Sequence, residues 1–592
     1  NGKARDIVAC AQKLVTEHGG RVPDTMEELT ALPDKGRCLL TGTCHCHLLL
    51  QKEGDFSAAE VELPFRYEFD DMNLPHGDEA VTPTFDGSMT VVNCRARMDG
   101  ERVGIDAELA VSRLAPDRRA QAMRLLKLAS TLRQYDFHVC VKGERNAGIF
   151  SCMEICDPVD TALVGCAIDI GTTTVTMVLT DLTSGKLLAK GSSGNGQIRY
   201  GADVINRIIQ QGRPGGKKKL QDAIIKETLT PIIASLCKSA GISARSILRL
   251  AIGANTTMNH LLLGVDAEPV RMEPYIPSFF GWEGLLAGDL KLPANPLAPV
   301  VIAPNIGSYV GGDITAGTLA AGFWDKDEMS LFIDLGTNGE IVFGNRDFLM
   351  SCACSAGPAF EGGDISCGMR ATDGAVEAAV IDKTTMEPTL SVIGDAGQKV
   401  VGICGSGIID IISELFRTGI INAKGLFVRE GDRVLRDAHG MGRYVLATAD
   451  ESETGREVSI NEVDIDNFIR AKGAIFSAID ILLQSVDMTV ECIDKVYVAG
   501  GIGSGINMKN AVNIGMLPDV ELEKFHYIGN SSLTGAYAMV MSDQAIEKCN
   551  EVMSNMTYLE LSTYPGYMDS FVAACFIPHT DSSLFPSSVQ EM

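Results

Sequence analysis

The sequence predicts an α/β protein built of two duplicated lobes, preceded by a small mixed α+β region. Three observations carry this expectation. From residue 165 onward, apolar strands ending in Gly, Thr or Asn turns alternate with amphipathic helices, the pattern that builds layered α/β folds. Within that region 167–181, AIDIGTTTVTMVLTD, is repeated at 332–346, FIDLGTNGEIVFGNR, in the order apolar, Ile, Asp, apolar, Gly, Thr; recurrence of this kind marks a duplicated unit. The length of 592 residues leaves room for several structural units at roughly 100 to 200 residues each.

Taken in order, residues 6–31 read as two short helices around Gly19–Pro23, with Asp24 or Thr25 as an N-cap. Runs 59–70 and 88–113 alternate apolar and polar residues, and Met98–Glu101 is a hairpin signal between 90–97 and 102–112. Residues 115–136 return to helical spacing, with Ala120, Met123, Leu126 and Leu128 on one face. The expected division is a helical segment 1–37, a strand-rich region 38–114, a linker 115–164, a first lobe 165–330 and a second lobe 331–592. Amphipathic helices are predicted at 201–211 and 407–418, a further helix at 506–514, and a docked tail at 564–586.

Composition narrows the function. Lys plus Arg is 51 and Asp plus Glu is 76, a net charge of -25, which opposes binding to a phosphate backbone, so no nucleic acid is expected. No run approaches the roughly 18 to 20 apolar residues of a membrane span, and residues 1–20 lack a signal-peptide core, so no membrane and a cytoplasmic location are expected. The 17 scattered cysteines read mostly as reduced thiols. The chain opens at Asn1, which suggests processing or an incomplete start.

The repeated run has the chemistry of a polyphosphate clamp. In each copy a strand ends in Asp, a glycine turn exposes backbone N–H groups, and hydroxyl or amide side chains follow. Gly171 and Gly336 allow close backbone approach, while Thr172, Thr173, Thr174, Thr337, Asn338 and Gly339 complete the two loops. Asp169 and Asp334 are placed to hold Mg²⁺ through water, and Asp334 and Glu340 are candidates for positioning an attacking water. Glu340 reads equally well as a solvent-facing strand residue. A third glycine run, VYVAGGIGSG at 496–505, offers Gly500, Gly501 and Gly503 to an adenosine.

These three elements, in this order, resemble the acetate and sugar kinase, heat-shock chaperone and actin (ASKHA) superfamily. Within it the chain is most similar to the ATP-dependent reductive activators of corrinoid proteins. The likeness runs through AIDIGTTTV (167–175), NGQIRYGADVINRI (195–208), GANTTMNHLLLG (253–264) and YVGGDITAG (309–317). It continues through FIDLGTNGEI (332–341), SAGPAFEGGDISCGMRA (355–371), GICGSGIIDIISELF (402–416), VYVAGGIGSGINMKNAVNIGMLPD (496–519), GNSSLTGA (529–536) and FIPHTDSSLFP (576–586). The resemblance implies an actin-like ATPase fold that binds ATP and Mg²⁺. It also implies reductive activation, Co(II) to Co(I), of a corrinoid methyl-carrier protein in a methyltransferase system, coupled to ATP hydrolysis. The electron donor would be ferredoxin or another reductant. A homodimer completes the expected partners.

The N-terminal region departs from that family, whose members commonly carry a [2Fe-2S] module with Cys gaps of x5 and then x2. Here Cys38-LLTGT-Cys44-His45-Cys46 shortens the second gap, which changes how thiolates reach the irons. A [2Fe-2S] site, a degenerate remnant and a zinc set including His45 all remain open. Residues 6–37 resemble a fragment of the endonuclease III family without its hairpin or catalytic lysine, which suggests a gene fusion or an aberrant reading frame. Cys352, Cys354, Cys367 and Cys404 read as compact buried residues rather than a cluster, and Cys152 and Cys156 as a pair on one helix face. Two other functions compete with the activator: a small-molecule kinase using Glu361 or Asp364, and an ATP-gated scaffold without its redox module.

Overall fold

The computed structural model describes residues 50–52, 89–96, 134–135, 138–146, 149–157, 159–336, 338–395, 397–501 and 505–591. The expected helices within 6–31, the hairpin partner 102–112, nearly all of 115–136, and Cys38, Cys44, Cys46, Thr337 and Gly503 lie outside the described residues. A four-stranded antiparallel sheet comes first, in the order β1 (Leu50–Lys52), β2 (Met89–Ala96), β3 (His138–Asn146), β4 (Ile149–Cys156). β4 corrects the helical reading of Cys152 and Cys156. Ile149, Phe150 and Ile155 suit a pleated ladder, and Cys156 stands opposite Cys140 of β3. Buried Lys142 of β3 anchors this sheet, its Nζ donating to Asp160 Oδ1 at 2.7 Å and Ser246 Oγ at 3.2 Å.

The first lobe contains β5 (Val164–Ile170), β6 (Thr174–Asp181), β7 (Leu187–Gly194), α1 (Val204–Gln211), β8 (Ile247–Ala254), α2 (Thr256–Leu263), β9 (Val300–Ile302) and α3 (Gly312–Ala321). Its sheet runs β7-β6-β5-β8-β9, antiparallel through β5 and parallel beyond it. The second lobe opens with β10 (Ser330–Leu335), β11 (Gly339–Gly344) and β12 (Leu349–Cys354). Two small sheets follow, β13 (Ala375–Ile381) to β15 (Gly402–Ile403) and β16 (Val434–Arg436) to β18 (Val458–Asn461), with α4 (Gly405–Arg417) and α5 (Glu462–Gln484). β19 (Lys495–Ala499), α6 (Met508–Asn513), β20 (Phe525–Gly529), α7 (Ser531–Met541) and β21 (Met556–Tyr558) complete it.

The second large sheet runs β20-β19-β10-β11-β12-β21, so its first five strands repeat the order and directions of the first sheet. The duplicated motif is therefore a duplicated topology. The copies slip after the glycine: Ile170 pairs with Val175 in one hairpin, whereas Leu335 pairs with Gly339 in the other. The second loop is shorter by one residue, which sets Glu340 opposite Asp334 where Thr176 stands opposite Asp169.

Each lobe is closed by a helix from the other. α7 follows β20, yet Leu533, Ala536, Tyr537 and Val540 pack in the core of the first lobe. α3 follows β9, yet Ile314 and Ala321 pack on Phe332, Val342 and Tyr497 of the second. Small residues allow the two helices to cross closely: a Cβ on Gly535 would lie 2.0 Å from the Ala316 carbonyl oxygen. This crossing brings both helix N-termini to the strand ends that carry Asp169 and Asp334. Among the described residues, no helix is long and apolar enough to cross a membrane.

Candidate active site

Asp169 and Asp334 end the central strands β5 and β10, in register with Gly253 of β8 and Ala499 of β19. The N-terminus of α7 wedges against the first of them. Asn530 caps that helix, accepting from Leu533 N at 2.8 Å through Oδ1, while its Nδ2 donates to Asp169 Oδ2 at 2.8 Å. Ser532 Oγ donates to Asp169 Oδ1, also at 2.8 Å. Gly253 makes the wedge fit, since a Cβ there would stand 2.4 Å from Ser532 Oγ. Burial raises the Asp169 pKa, and the bonds from Asn530 and Ser532 oppose the rise by favouring the ionised form.

Three more buried carboxyls lie close to one another nearby. Asp334 is pushed up to about 7, first by burial and then by the charge of Asp169. Asp313, in the first turn of α3, is also pushed up to about 7, by burial and then by Asp334 and Asp169. Glu340 is raised well above its ordinary value by burial, then by Asp313 and Asp334. At 7% exposed, Glu340 is no solvent-facing strand residue; the shorter second loop turns it onto the same face as Asp334. Asp313 was missed in the sequence, although YVGGDITAG places it at a helix head directly after two glycines. After burial, the charges that shift these groups are those of one another, so each carboxylate disfavours ionisation of its neighbours. Among the described residues no three acidic, His or Cys side chains converge tightly enough to ligate one ion directly. A cation that keeps its own waters, as Mg²⁺ does, fits such a set.

The first glycine turn, 171–174, is gripped from behind. Gly171 N donates to Thr174 O at 3.0 Å and closes the turn. Buried Arg207 donates to Thr172 O at 2.6 Å, Asn255 Nδ2 to Thr172 Oγ1 at 3.0 Å, and Asn195 N to Thr173 O at 2.8 Å. Burial pulls Arg207 down to about 10, against the nearby charge of Asp203. Asn195, Arg207 and Asn255 thus hold the turn open toward the cleft. Sequence reading assigned them no role, because they lie far along the chain from it. Thr172 is buried with its hydroxyl engaged, Thr173 is half-buried, and Thr174 is exposed.

In the second loop Gly336 N donates to Asn338 O at 3.0 Å. Gly339 belongs to β11, and a Cβ there would strike Cys354 Sγ at 2.8 Å, so its small size serves packing. Gly500 has φ +101, and a Cβ there would lie 2.2 Å from Leu335 O and 3.0 Å from Asp334 Oδ1. Only glycine brings the third glycine run against the second aspartate. Gly501 is exposed with open space around it. Gly505 adjoins Ser406 at the head of α4, so GICGSG (402–407) borders the same run. Asp364 is exposed on a turn with φ 57 and takes no part in the acid cluster. Cys352, Cys354 and Cys404 are buried, and burial raises the first two thiols, as suits packing residues.

Two duplicated sheets, helices exchanged between lobes and a cleft floored by acids and lined by glycine turns define an actin-like ATPase of the ASKHA class. Residues 328–589 match the family model described as the C-terminal domain of RACo, the ASKHA domain, and residues 164–326 match the RACo middle region. The corrinoid activation enzyme RamQ of Eubacterium limosum is 35% identical over 447 residues, covering 74% of this chain and 73% of that protein. The [Co(II) methylated amine-specific corrinoid protein] reductase of Methanosarcina barkeri is 26% identical over 276 residues, 44% of this chain and 47% of that protein. A solved reductive activator for corrinoid, iron-sulfur protein superposes with a TM-score of 0.75 at 40% identity, covering 87% of this chain and 83% of that one. The chain belongs to this family of ATP-dependent corrinoid reductive activators.

Proposed function

We propose that this chain returns a corrinoid methyl-carrier protein from Co(II) to Co(I) at the expense of ATP. The observation that carries the reading is the convergence of Asp169, Asp313, Asp334 and Glu340 where the duplicated strands end in glycine turns. ATP would lie between the lobes, with backbone N–H groups of 171–174, 336 and 338 toward the phosphates and Gly500 and Gly501 beside adenosine. Asp169 and Asp334, with Asp313, are the residues that would hold Mg²⁺ through water, and the ion would supply charge neutralisation for the polyphosphate. Asp334 and Glu340 orient the attacking water, with Glu340 able to take up its proton. Closure of the lobes differs between ATP and ADP, and this difference in closure is what drives a change in the docked corrinoid protein.

The electron comes from ferredoxin or another reductant, and Cys38, Cys44 and Cys46 are the candidates for a [2Fe-2S] port. The activator works in the cytoplasm, as a homodimer. The exposed placement of Asp364 speaks against a substrate-hydroxyl base in the kinase reading. The test follows the Co(I) absorbance of a purified corrinoid methyl carrier with the chain, Mg·ATP and a chemical reductant. Co(I) formation that requires ATP supports the reading, whereas sugar phosphorylation without any Co(I) signal defeats it. Iron and acid-labile sulfide analysis of the same sample decides the port.

A further inference from the structure

Between α2 and β9, the segment 272–283 presents Met272, Ile276, Phe280 and Trp282 at 50%, 58%, 43% and 42% exposure. Single exposed apolar residues are ordinary, but four large ones on one short loop form the kind of patch that marks a contact surface. The loop is fastened down. Ser278 N donates to His260 Nε2 at 3.1 Å, and His260 Nδ1 meets Thr256 O at 2.7 Å, which makes Nδ1 the protonated nitrogen. Phe279 stacks on His260 with ring centres 4.4 Å apart, and Trp282 meets Phe279 edge-on at 5.5 Å. Asn305 N donates to Phe280 O at 2.7 Å and Ser308 Oγ to Tyr275 O at 2.8 Å. Rigid aromatic and aliphatic side chains held in place lose little entropy when covered, which suits them as anchors.

The same fastenings lead to the ATP site. His260 lies in α2, whose cap Asn255 grips Thr172 of the first phosphate loop. Asn305 and Ser308 lie in the stretch that continues to Asp313. The exposed patch is therefore tied to both sides of the acid cluster.

The charges around the patch select the occupant. Across 266–283 the charged side chains are Asp266, Glu268, Glu273 and Glu283 and a single cation, Arg271, which is paired with Glu268. A two-fold contact with a second copy would set this acidic rim against itself. A partner with an apolar centre ringed by Lys and Arg complements it. We infer that this loop is the docking platform for the Co(II) corrinoid protein, an inference that rests on the activator reading above.

The test uses the full chain and a Co(II) corrinoid methyl carrier that the wild-type chain reduces, with the dissociation constant measured by fluorescence. The double variant Ile276→Ser, Trp282→Ser is expected to weaken carrier binding at least tenfold while the ATPase rate of the free chain and its melting temperature hold. Glu273→Lys with Glu283→Lys is expected to weaken binding strongly at low salt and little at high salt. Unchanged affinity in the double variant overturns the platform, even where the wild-type chain reduces the carrier normally. Sedimentation that shows the double variant losing self-association, with carrier binding intact, overturns it in favour of a contact between copies. If the wild-type chain reduces no carrier, the activator reading itself fails and the platform falls with it.

Discussion

Asn530 and Asp169 stand 361 residues apart in the chain and 2.8 Å apart in the cleft. The aspartate that ends the first lobe's central strand is thus held by the cap of the helix that follows β20 of the second lobe. The placement of Asp169 and the exchange of helices between lobes are one structural fact.

Asn530→Ala combined with Ser532→Ala removes both donors from Asp169. Each hydrogen bond to a charged group contributes about 1.5–3 kcal/mol, so losing both should lower the ATPase rate by about a hundredfold or more. These bonds also favour the ionised carboxylate. Their loss raises the Asp169 pKa further, and the acid limb of the pH–rate profile should move to higher pH. An unshifted limb with a full rate would show that α7 does not set Asp169.

Gly500→Ala and Gly501→Ala form a matched pair. A methyl at 500 meets Leu335 O and Asp334 Oδ1 in a left-handed backbone region, whereas one at 501 meets nothing within 4 Å. Nucleotide affinity, measured by titration calorimetry, should drop at least about tenfold for the first and change little for the second. Equal losses would mean that close backbone approach at 500 is not what the site requires.

Lys472 tests the tail. It is buried in α5, and its Nζ donates to Pro578 O at 2.6 Å, Gly515 O at 3.4 Å and the Phe576 carbonyl. Lys472→Met keeps the bulk but leaves those carbonyls without a donor, which should destabilise the chain by about 1–3 kcal/mol and expose 564–591 to limited proteolysis. Burial pulls Lys472 down to about 7 from the ordinary 10.5. The unfolded chain therefore binds more protons between those values, and stability should rise with pH across that window. The variant should show a flatter rise in melting temperature there; an identical slope would mean that Lys472 does not titrate in this range.

Asp313→Asn tests the residue that the sequence did not reveal. Loss of one member of the acid cluster should weaken Mg²⁺ dependence, raising the Mg²⁺ concentration for half-maximal ATPase at least about fivefold. Wild-type Mg²⁺ dependence would exclude Asp313 from the site.

The two strand–Asp–glycine turns were legible because their determinants are local: strand, Asp, glycine and hydroxyls lie within one short run. The ASKHA fold was legible through the repetition of that run. Asp313, Asn530 and Ser532 were not assigned, since they reach the site only through crossing helices that no local pattern encodes. A gapless match also hides the one-residue slip that makes Gly339 a strand residue packed on Cys354. Cys152 and Cys156 misled for a related reason: a three-residue gap fits one helix face, but Ile149, Phe150 and Ile155 favour the ladder that forms.

The account's central claim is that ATP handled by Asp169 and Asp334 drives cobalt reduction. It is tested most directly by the rate of Co(II) to Co(I) conversion in a purified corrinoid carrier with Mg·ATP and a chemical reductant. Asp169→Ala and Asp334→Ala are each expected to lower that rate at least about a hundredfold while carrier binding persists. Conversion at the wild-type rate in either variant would contradict it.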